Sequence, residues 1–294
     1  MDMPGMAAAD IRVVPTGGAL GADIVGIDLA QDIGDADFHR IEDAWHEHLV
    51  VRFRGQTLDD DALAAFSRRF GELDMAPTGR GGKPFNPDRP EIVVVSNIVV
   101  DGKPAGALGN SELVWHQDMT YNDIPPKASL LYGIEVPEAG GATQFYNLYK
   151  AYDALPDALR QRIEGLTCKH DATRSSDGRL RHGYEEEYSN EDRPGAIHPL
   201  VLVHPGTGRK ALCVGRRPNA WIVGLPDDES DALLDEIWAH IERCGFVWTQ
   251  DWQAGDLVIW DNRCTLHRRD TLPAGSRRHM HRTQVCDTAR PAAA

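Results

Sequence analysis

The sequence predicts a mainly β chain with flanking helices. Short runs rich in β-branched and aromatic residues recur along it, a few amphipathic stretches of helical period interrupt them, and no internal repeat or linker divides them. At 294 residues the chain is long for one domain, but β barrels and sandwiches of this size are often single units. One catalytic-size domain over residues 1–294 is therefore expected, with its core in about 11–285 and frayed ends.

Taken in order, residues 11–15 and 49–53 read as strands separated by a helix over 35–48. A second helix follows over 59–70, with acids in its first turn and Arg68 and Arg69 in its last, which suits the helix dipole. Residues 113–121 alternate valine, tryptophan, threonine and tyrosine and suit an extended segment. Further helices are expected over 153–164 and 228–244, the latter stopped by Gly245. The polar, glycine-containing stretch 174–199 reads as a long excursion placed to act as a lid. Residues 256–260 form another strand-like run.

Composition narrows the function. A hydrophobic content of 41% supports a sizeable core. A net charge of −14 repels polyanions, so nucleic acid and anionic membrane surfaces are not expected partners. Five scattered cysteines, odd in number and without a C-x-x-C pair, suggest reduced thiols rather than a disulfide framework or a zinc ribbon. The start lacks a basic, apolar leader and no stretch reaches the length of a membrane span, so a cytoplasmic protein is expected. Whether it forms a homo-oligomer is left open.

The chemistry resides in His116, Asp118 and His267. On an extended segment, residues i and i+2 point to one face, so His116 and Asp118 can reach one ion. The chain supplies its own decoy in His240 and Glu242, which share that spacing but fall on the helix over 228–244, where such neighbours diverge. Taken alone, His116 and Asp118 could be a histidine hydrogen-bonded to a nearby carboxylate. His267, which follows a second strand-like run, completes two imidazoles and a carboxylate. That set holds non-haem Fe(II) and keeps coordination positions open. Ligands so far apart in sequence must converge through the fold, as they do in metal enzymes of the double-stranded β-helix type. Arg278, eleven residues after His267, could fix a dicarboxylate at the metal.

Segments 115–121, 140–143, 151–156, 208–210, 260–267 and 277–282, in that order, resemble the taurine and 2,4-dichlorophenoxyacetate dioxygenase family. The resemblance runs from about residue 11 to 285 and implies a jelly-roll, cupin-like core with Fe(II), 2-oxoglutarate and O2. It makes His116, Asp118 and His267 the catalytic iron ligands. It assigns Thr143 and Arg278 to the distal carboxylate of 2-oxoglutarate, where a planar guanidinium grips bidentately and a hydroxyl adds a donor. Arg282 is assigned to the anionic end of the prime substrate. Asn110, Glu112, Arg216 and Trp221 fall near pocket-lining segments, with Arg217 and Asn219 beside them; a surface turn with a buried tryptophan is the competing reading of residues 216–221. Of the six arginines between Asp261 and Arg282, the remaining four, Arg263, Arg268, Arg269 and Arg277, are assigned structural or surface roles.

Ala76 and Gly79 stand where the taurine enzyme binds its substrate through a histidine and a tyrosine, which argues against taurine itself. The expected reaction is hydroxylation of a small anionic organic substrate, a carboxylate or sulfonate, with succinate and CO2 as co-products and bond cleavage where the hydroxylated carbon carries a leaving group. Desaturation at the same site is the alternative chemistry. A β-helix protein that binds metal or a small acid without turnover is the non-enzymatic one.

Overall fold

A computed structural model describes residues 11–76, 84–108, 113–175, 178–185 and 187–294. Its centre is a jelly roll of two facing sheets. The wide sheet runs in the order Arg12–Pro15, Ala22–Val25, Val50–Phe53, Leu257–Asp261, Ala128–Glu135, His279–Val285, Val93–Ser96 and Ala107–Leu108. The narrow sheet places Thr143–Asn147 between Val247–Gln250 and Thr265–Arg269. A single bridge between His116 and His267 extends its far edge.

Strand periodicity of two determines which side chains meet between the sheets. Along Leu257–Asp261, Val258 and Trp260 join the core between the sheets, whereas Leu257 and Ile259 face outward into a second core with helices Asp35–His48 and Asp60–Arg68. His279–Val285 divides likewise. Met280 belongs to the inner core and Val285 to the outer one, and Thr283 shares a 2.7 Å hydrogen bond with Ser67 of Asp60–Arg68. The outer face of the narrow sheet is covered by helix Asp227–Cys244, where the Tyr146 hydroxyl donates to Ile241 O at 2.7 Å. Each large apolar side chain buried this way contributes about 1.5–3 kcal/mol. Both cores are therefore held firmly around the space between the sheets.

Most expected elements are present within a residue or two, including Arg12–Pro15, Asp35–His48, Val50–Phe53, Asp60–Arg68 and Asp227–Cys244. Two differ. The helix expected over 153–164 spans only Asp157–Ile163; Asp153 ends a preceding helix, Leu148–Asp153, and Pro156, which lacks an N–H and restricts the residue before it, separates the two. The extended segment expected over 113–121 pairs only at His116; Met119 has φ +51° and the chain turns there. Asp118 thus reaches the site from the start of a turn rather than from a regular strand. Among the described residues, no helix is long and apolar enough to cross a membrane.

Candidate active site

His116 and His267 are locked together through the backbone. Each amide donates to the other's carbonyl, at 3.0 and 2.9 Å, and the two rings lie 4.2 Å apart. His116 Nδ1 lies 2.8 Å from Val114 O, so this nitrogen carries the proton and Nε2 keeps its lone pair. Asp118 faces the Nε2 atoms of both rings, with Oδ1 3.8 Å from His116 Nε2 and Oδ2 3.7 Å from His267 Nε2. One ligand atom from each residue falls within 4.8 Å of the others. His116 Nε2 and both ring nitrogens of His267 are buried without a hydrogen-bond partner. Buried ring nitrogens left without a hydrogen-bond partner are costly, and two bare imidazole nitrogens facing one carboxylate suit a divalent metal. The donor set fits Fe(II).

The electrostatics match. Burial alone would raise the Asp118 carboxyl, but Arg282, His267 and His116 outweigh it and hold the group at about 2. Arg282 Nη1 is 3.5 Å from Asp118 Oδ1, and Ser129 Oγ donates to Oδ2 at 3.2 Å. Burial, reinforced by His116 and Arg282, lowers His267 to about 3, so its ring is neutral at pH 7 and free to ligate.

Two neutral amides hold the Asp118 turn in place. Asn262 Oδ1 accepts from the Asp118 amide at 2.7 Å, and its Nδ2 donates to Asp118 O and Pro126 O, both at 2.9 Å. Gln117 Oε1 accepts from the Val214 and Gly215 amides at 3.1 and 3.0 Å, and Nε2 donates to Asn262 O at 3.0 Å. Their sequence signal was adjacency: Gln117 lies between two of the proposed ligands, and Asn262 opens the turn that leads to His267.

Beside this cluster, a small cavity of about 20 Å³ is bordered by Val95, Leu131, Thr143, Trp260, His267, Arg268, Arg269, Arg278 and Arg282. Arg278 and Arg282 are 4% and 7% exposed. Arg282 lies on the Met280 side of its strand, and Arg278 immediately precedes that strand; both border the cavity. The Thr143 hydroxyl accepts from the Trp252 indole at 2.9 Å, which leaves its own proton to donate into the cavity.

Residues 12–284 match the family model described as taurine catabolism dioxygenase TauD, TfdA family. The chain belongs to this family. It is 36% identical over 277 residues to an alpha-ketoglutarate-dependent 2,4-dichlorophenoxyacetate dioxygenase of Cupriavidus pinatubonensis, a match covering 91% of this chain and 95% of that protein. It is 32% identical over 286 residues to an (S)-phenoxypropionate/alpha-ketoglutarate-dioxygenase of Sphingobium herbicidovorans, covering 93% and 94%. The crystal structure of AAD-2 in complex with Mn(II) and N-oxalylglycine superposes with a TM-score of 0.76 at 26% identity, covering 96% of this chain and 99% of that one. The chain is thus an Fe(II)- and 2-oxoglutarate-dependent dioxygenase that consumes O2. The non-enzymatic alternative falls away.

Within this dioxygenase the other assigned residues divide. Arg263 is bound to Asp261, with Nη2 2.6 Å from Oδ2. Arg268 donates to Gln144 Oε1 at 2.8 Å and stacks on Trp115, and Arg277 forms an exposed pair with Glu135. Arg269 is buried and borders the cavity. Arg216 donates to Asp171 O at 3.2 Å and Arg174 O at 3.0 Å. Arg217 pairs with Asp231 and Asp235, and Asn219 donates to Asp171 Oδ2 at 3.0 Å. The Trp221 indole donates to Leu225 O at 3.2 Å. Neither Arg216 nor Trp221 borders the cavity with Thr143, although Gly215, next to Arg216, accepts from the Gln117 amide at 3.1 Å. Asn110, Glu112 and Gly79 lie outside the described residues. Ala76 is half-buried against the inner core. The decoy His240 is a buried helix residue with Nε2 2.9 Å from Ala151 O.

Proposed function

We propose that this dioxygenase hydroxylates a small organic acid, and that an aryloxyalkanoate is the substrate class its site suits best. The observation that carries the reading is the convergence of two bare imidazole nitrogens and the Asp118 carboxylate beside a cavity bordered by buried arginines. His116, Asp118 and His267 would hold Fe(II), which with 2-oxoglutarate and O2 supplies the oxidising power. Thr143 and Arg278 would bind the distal carboxylate of 2-oxoglutarate, a hydroxyl and a guanidinium forming charge-assisted hydrogen bonds away from water. Arg282, already leaning on Asp118, would turn part of its fork towards the carboxylate of the prime substrate; its Nε has no hydrogen-bond partner among the described residues.

Two of the relatives are named for phenoxy acids, which supports this class. Hydroxylation of the carbon between the ether oxygen and the carboxylate forms a hemiacetal. Its collapse breaks the C–O bond and releases a phenol and a 2-oxo acid. Residues 1–294 would act as one catalytic domain with its core in about 11–285, and the excursion over 174–199 as its lid. In support, His198 Nε2 lies 2.9 Å from the carbonyls of Thr120 and Asn122, and the Arg181 guanidinium lies 4.1 Å from the Tyr121 ring centre. The excursion therefore touches the chain immediately after Asp118.

The test is succinate formation with Fe(II), O2 and 2-oxoglutarate across 2,4-dichlorophenoxyacetate, (S)-2-phenoxypropionate, an alkyl sulfate and taurine. Phenol release and coupled succinate with the first two are expected, and Arg282→Ala should uncouple the reactions. Taurine as the best substrate, or phenoxy acids with no effect on succinate, would reject the substrate class.

A further inference from the structure

Each oxygen of the Asp118 carboxylate faces one histidine at almost the same distance, Oδ1 3.8 Å from His116 Nε2 and Oδ2 3.7 Å from His267 Nε2. Their other neighbours tell them apart. Oδ2 accepts from the Ser129 hydroxyl at 3.2 Å, whereas Oδ1 meets the Arg282 guanidinium at 3.5 Å and accepts no hydrogen bond among the described residues. Ser129 is fully buried on Ala128–Glu135, the strand that lies between Leu257–Asp261 and His279–Val285 in the wide sheet. Pairing sets it opposite Trp260 on one side and Gln284 on the other, and directly opposed residues point to the same side of a sheet. Trp260 belongs to the inner core, so Ser129 faces inward with it.

The direction of this hydrogen bond is fixed from both ends. An ionised carboxylate can only accept, so the serine donates. On its other side Gln284 Nε2 lies 3.5 Å from Ser129 Oγ, and an amide nitrogen can only donate. The serine proton is thus committed to Oδ2. That bond spends a lone pair of Oδ2 and resists rotation of the carboxylate, while the lone pairs of Oδ1 stay open. Two imidazoles and one carboxylate oxygen leave a metal open positions for co-substrate and O2. A carboxylate can also bind through both oxygens, and the second oxygen would then take one of those positions.

We propose that Ser129 is a positioning residue that keeps Asp118 a one-oxygen ligand. By tying Oδ2 to the wide sheet it leaves Oδ1 to the metal and guards the coordination position that the gaseous co-substrate needs. The inference rests on the metal reading of His116, Asp118 and His267 and adds to it a residue that governs access to the metal.

The test is anaerobic titration of nitric oxide, a stand-in for O2, into the Fe(II)-loaded protein saturated with 2-oxoglutarate. Binding is followed by the electron paramagnetic resonance of the nitrosyl complex, and Mn(II) binding to the metal-free protein is measured beside it. Ser129→Ala should weaken nitric oxide binding by about ten-fold or more, the scale of one hydrogen bond to a charged group, while Mn(II) binds at least as tightly as in wild type. Ser129→Thr returns a hydroxyl on a β-branched side chain that suits a strand, and it should restore the wild-type affinity for nitric oxide. Ser129→Val has the shape of threonine without the donor; it should behave as Ser129→Ala does, and it carries the test if the alanine variant does not fold. Nitric oxide affinity within about two-fold of wild type in Ser129→Ala or Ser129→Val overturns the role of Ser129. Weaker Mn(II) binding also overturns it, since Ser129 would then only steady the carboxylate, and so does a loss that Ser129→Thr does not repair. If Asp118→Ala binds Mn(II) as wild type does, the metal reading itself fails.

Discussion

Two buried clusters of this protein look alike by composition and differ in what their lone pairs are doing. His116, Asp118 and His267 form one; His204, Asp261 and Cys264 form the other, with ligand-type atoms just as close together. In the second, His204 Nδ1 accepts from the amides of Gly206 and Thr207 at 3.2 and 3.1 Å, so its proton resides on Nε2, 2.9 Å from Asp261 Oδ2. Asp261 also accepts two bonds from the Arg263 side chain, at 2.9 and 2.6 Å. Every strong donor there has an acceptor, and no imidazole lone pair remains for a metal. In the first cluster the Nε2 atoms of both histidines are bare. Proximity of histidine and carboxylate is therefore a poor guide to a metal site; unspent lone pairs are a better one.

The largest effect expected from this contrast is on metal and turnover. His267→Ala should abolish bound Fe(II) and succinate formation while the thermal midpoint stays close to that of the metal-free wild type. Asp261→Ala should do the opposite. It leaves Arg263 buried without its carboxylate, which costs about 3–5 kcal/mol of stability, and leaves the metal affinity of the surviving fold unchanged. Denaturant unfolding and metal analysis on both variants would check this, and loss of metal in folded Asp261→Ala would erase the distinction between the clusters.

The second cluster also has a pH signature. Burial would raise the Asp261 carboxyl, but Arg263 and His204 outweigh it and hold it well below the usual carboxylate range. A carboxyl depressed on folding contributes stability above its unfolded value of about 3.9 and loses it as the pH falls towards the folded one. The stability gap between wild type and Asp261→Asn should therefore be full above about pH 5 and shrink under acid, as urea unfolding across pH would show. A gap that widened on acidification would contradict the ionised pair.

Beside the first cluster, Arg278→Ala should raise the KM for 2-oxoglutarate by the worth of a desolvated charge pair, about 2–5 kcal/mol, and Arg278→Lys should recover part of it. Unchanged 2-oxoglutarate kinetics would move that role elsewhere. The smallest effect is expected from Asn262→Ala, which removes the clamp on the Asp118 backbone. Partners that orient a ligand typically cost 10–100-fold in metal affinity or activity when lost, so Fe(II) affinity should fall in that range while the histidines stay in place. Wild-type affinity would show that the turn holds without Asn262.

Much of this was legible in the sequence because it is local. The period-two alternation along 257–260, the dipole-matched ends of Asp60–Arg68 and the glycine stop at Gly245 are properties of neighbouring residues. The spacing of His116 and Asp118 and the motif leading to His267 are equally local, and the family pattern joined them across the chain. Whether the two histidines meet was not local, nor was which of six arginines turns inward. Arg268 and Arg269 are adjacent and chemically identical, so no composition or spacing separates them. The pairing of Thr265–Arg269 with Thr143–Asn147 does, because a pleated strand sends successive side chains to opposite faces: Arg269 shares the face of Thr143, and the Arg268 head group lies on Gln144 and Trp115. The sequence alone determined the element types and the chemistry of the ligands; the tertiary structure decided which lone pairs stay free and which cations face the site, since both depend on contacts between strands far apart in the chain.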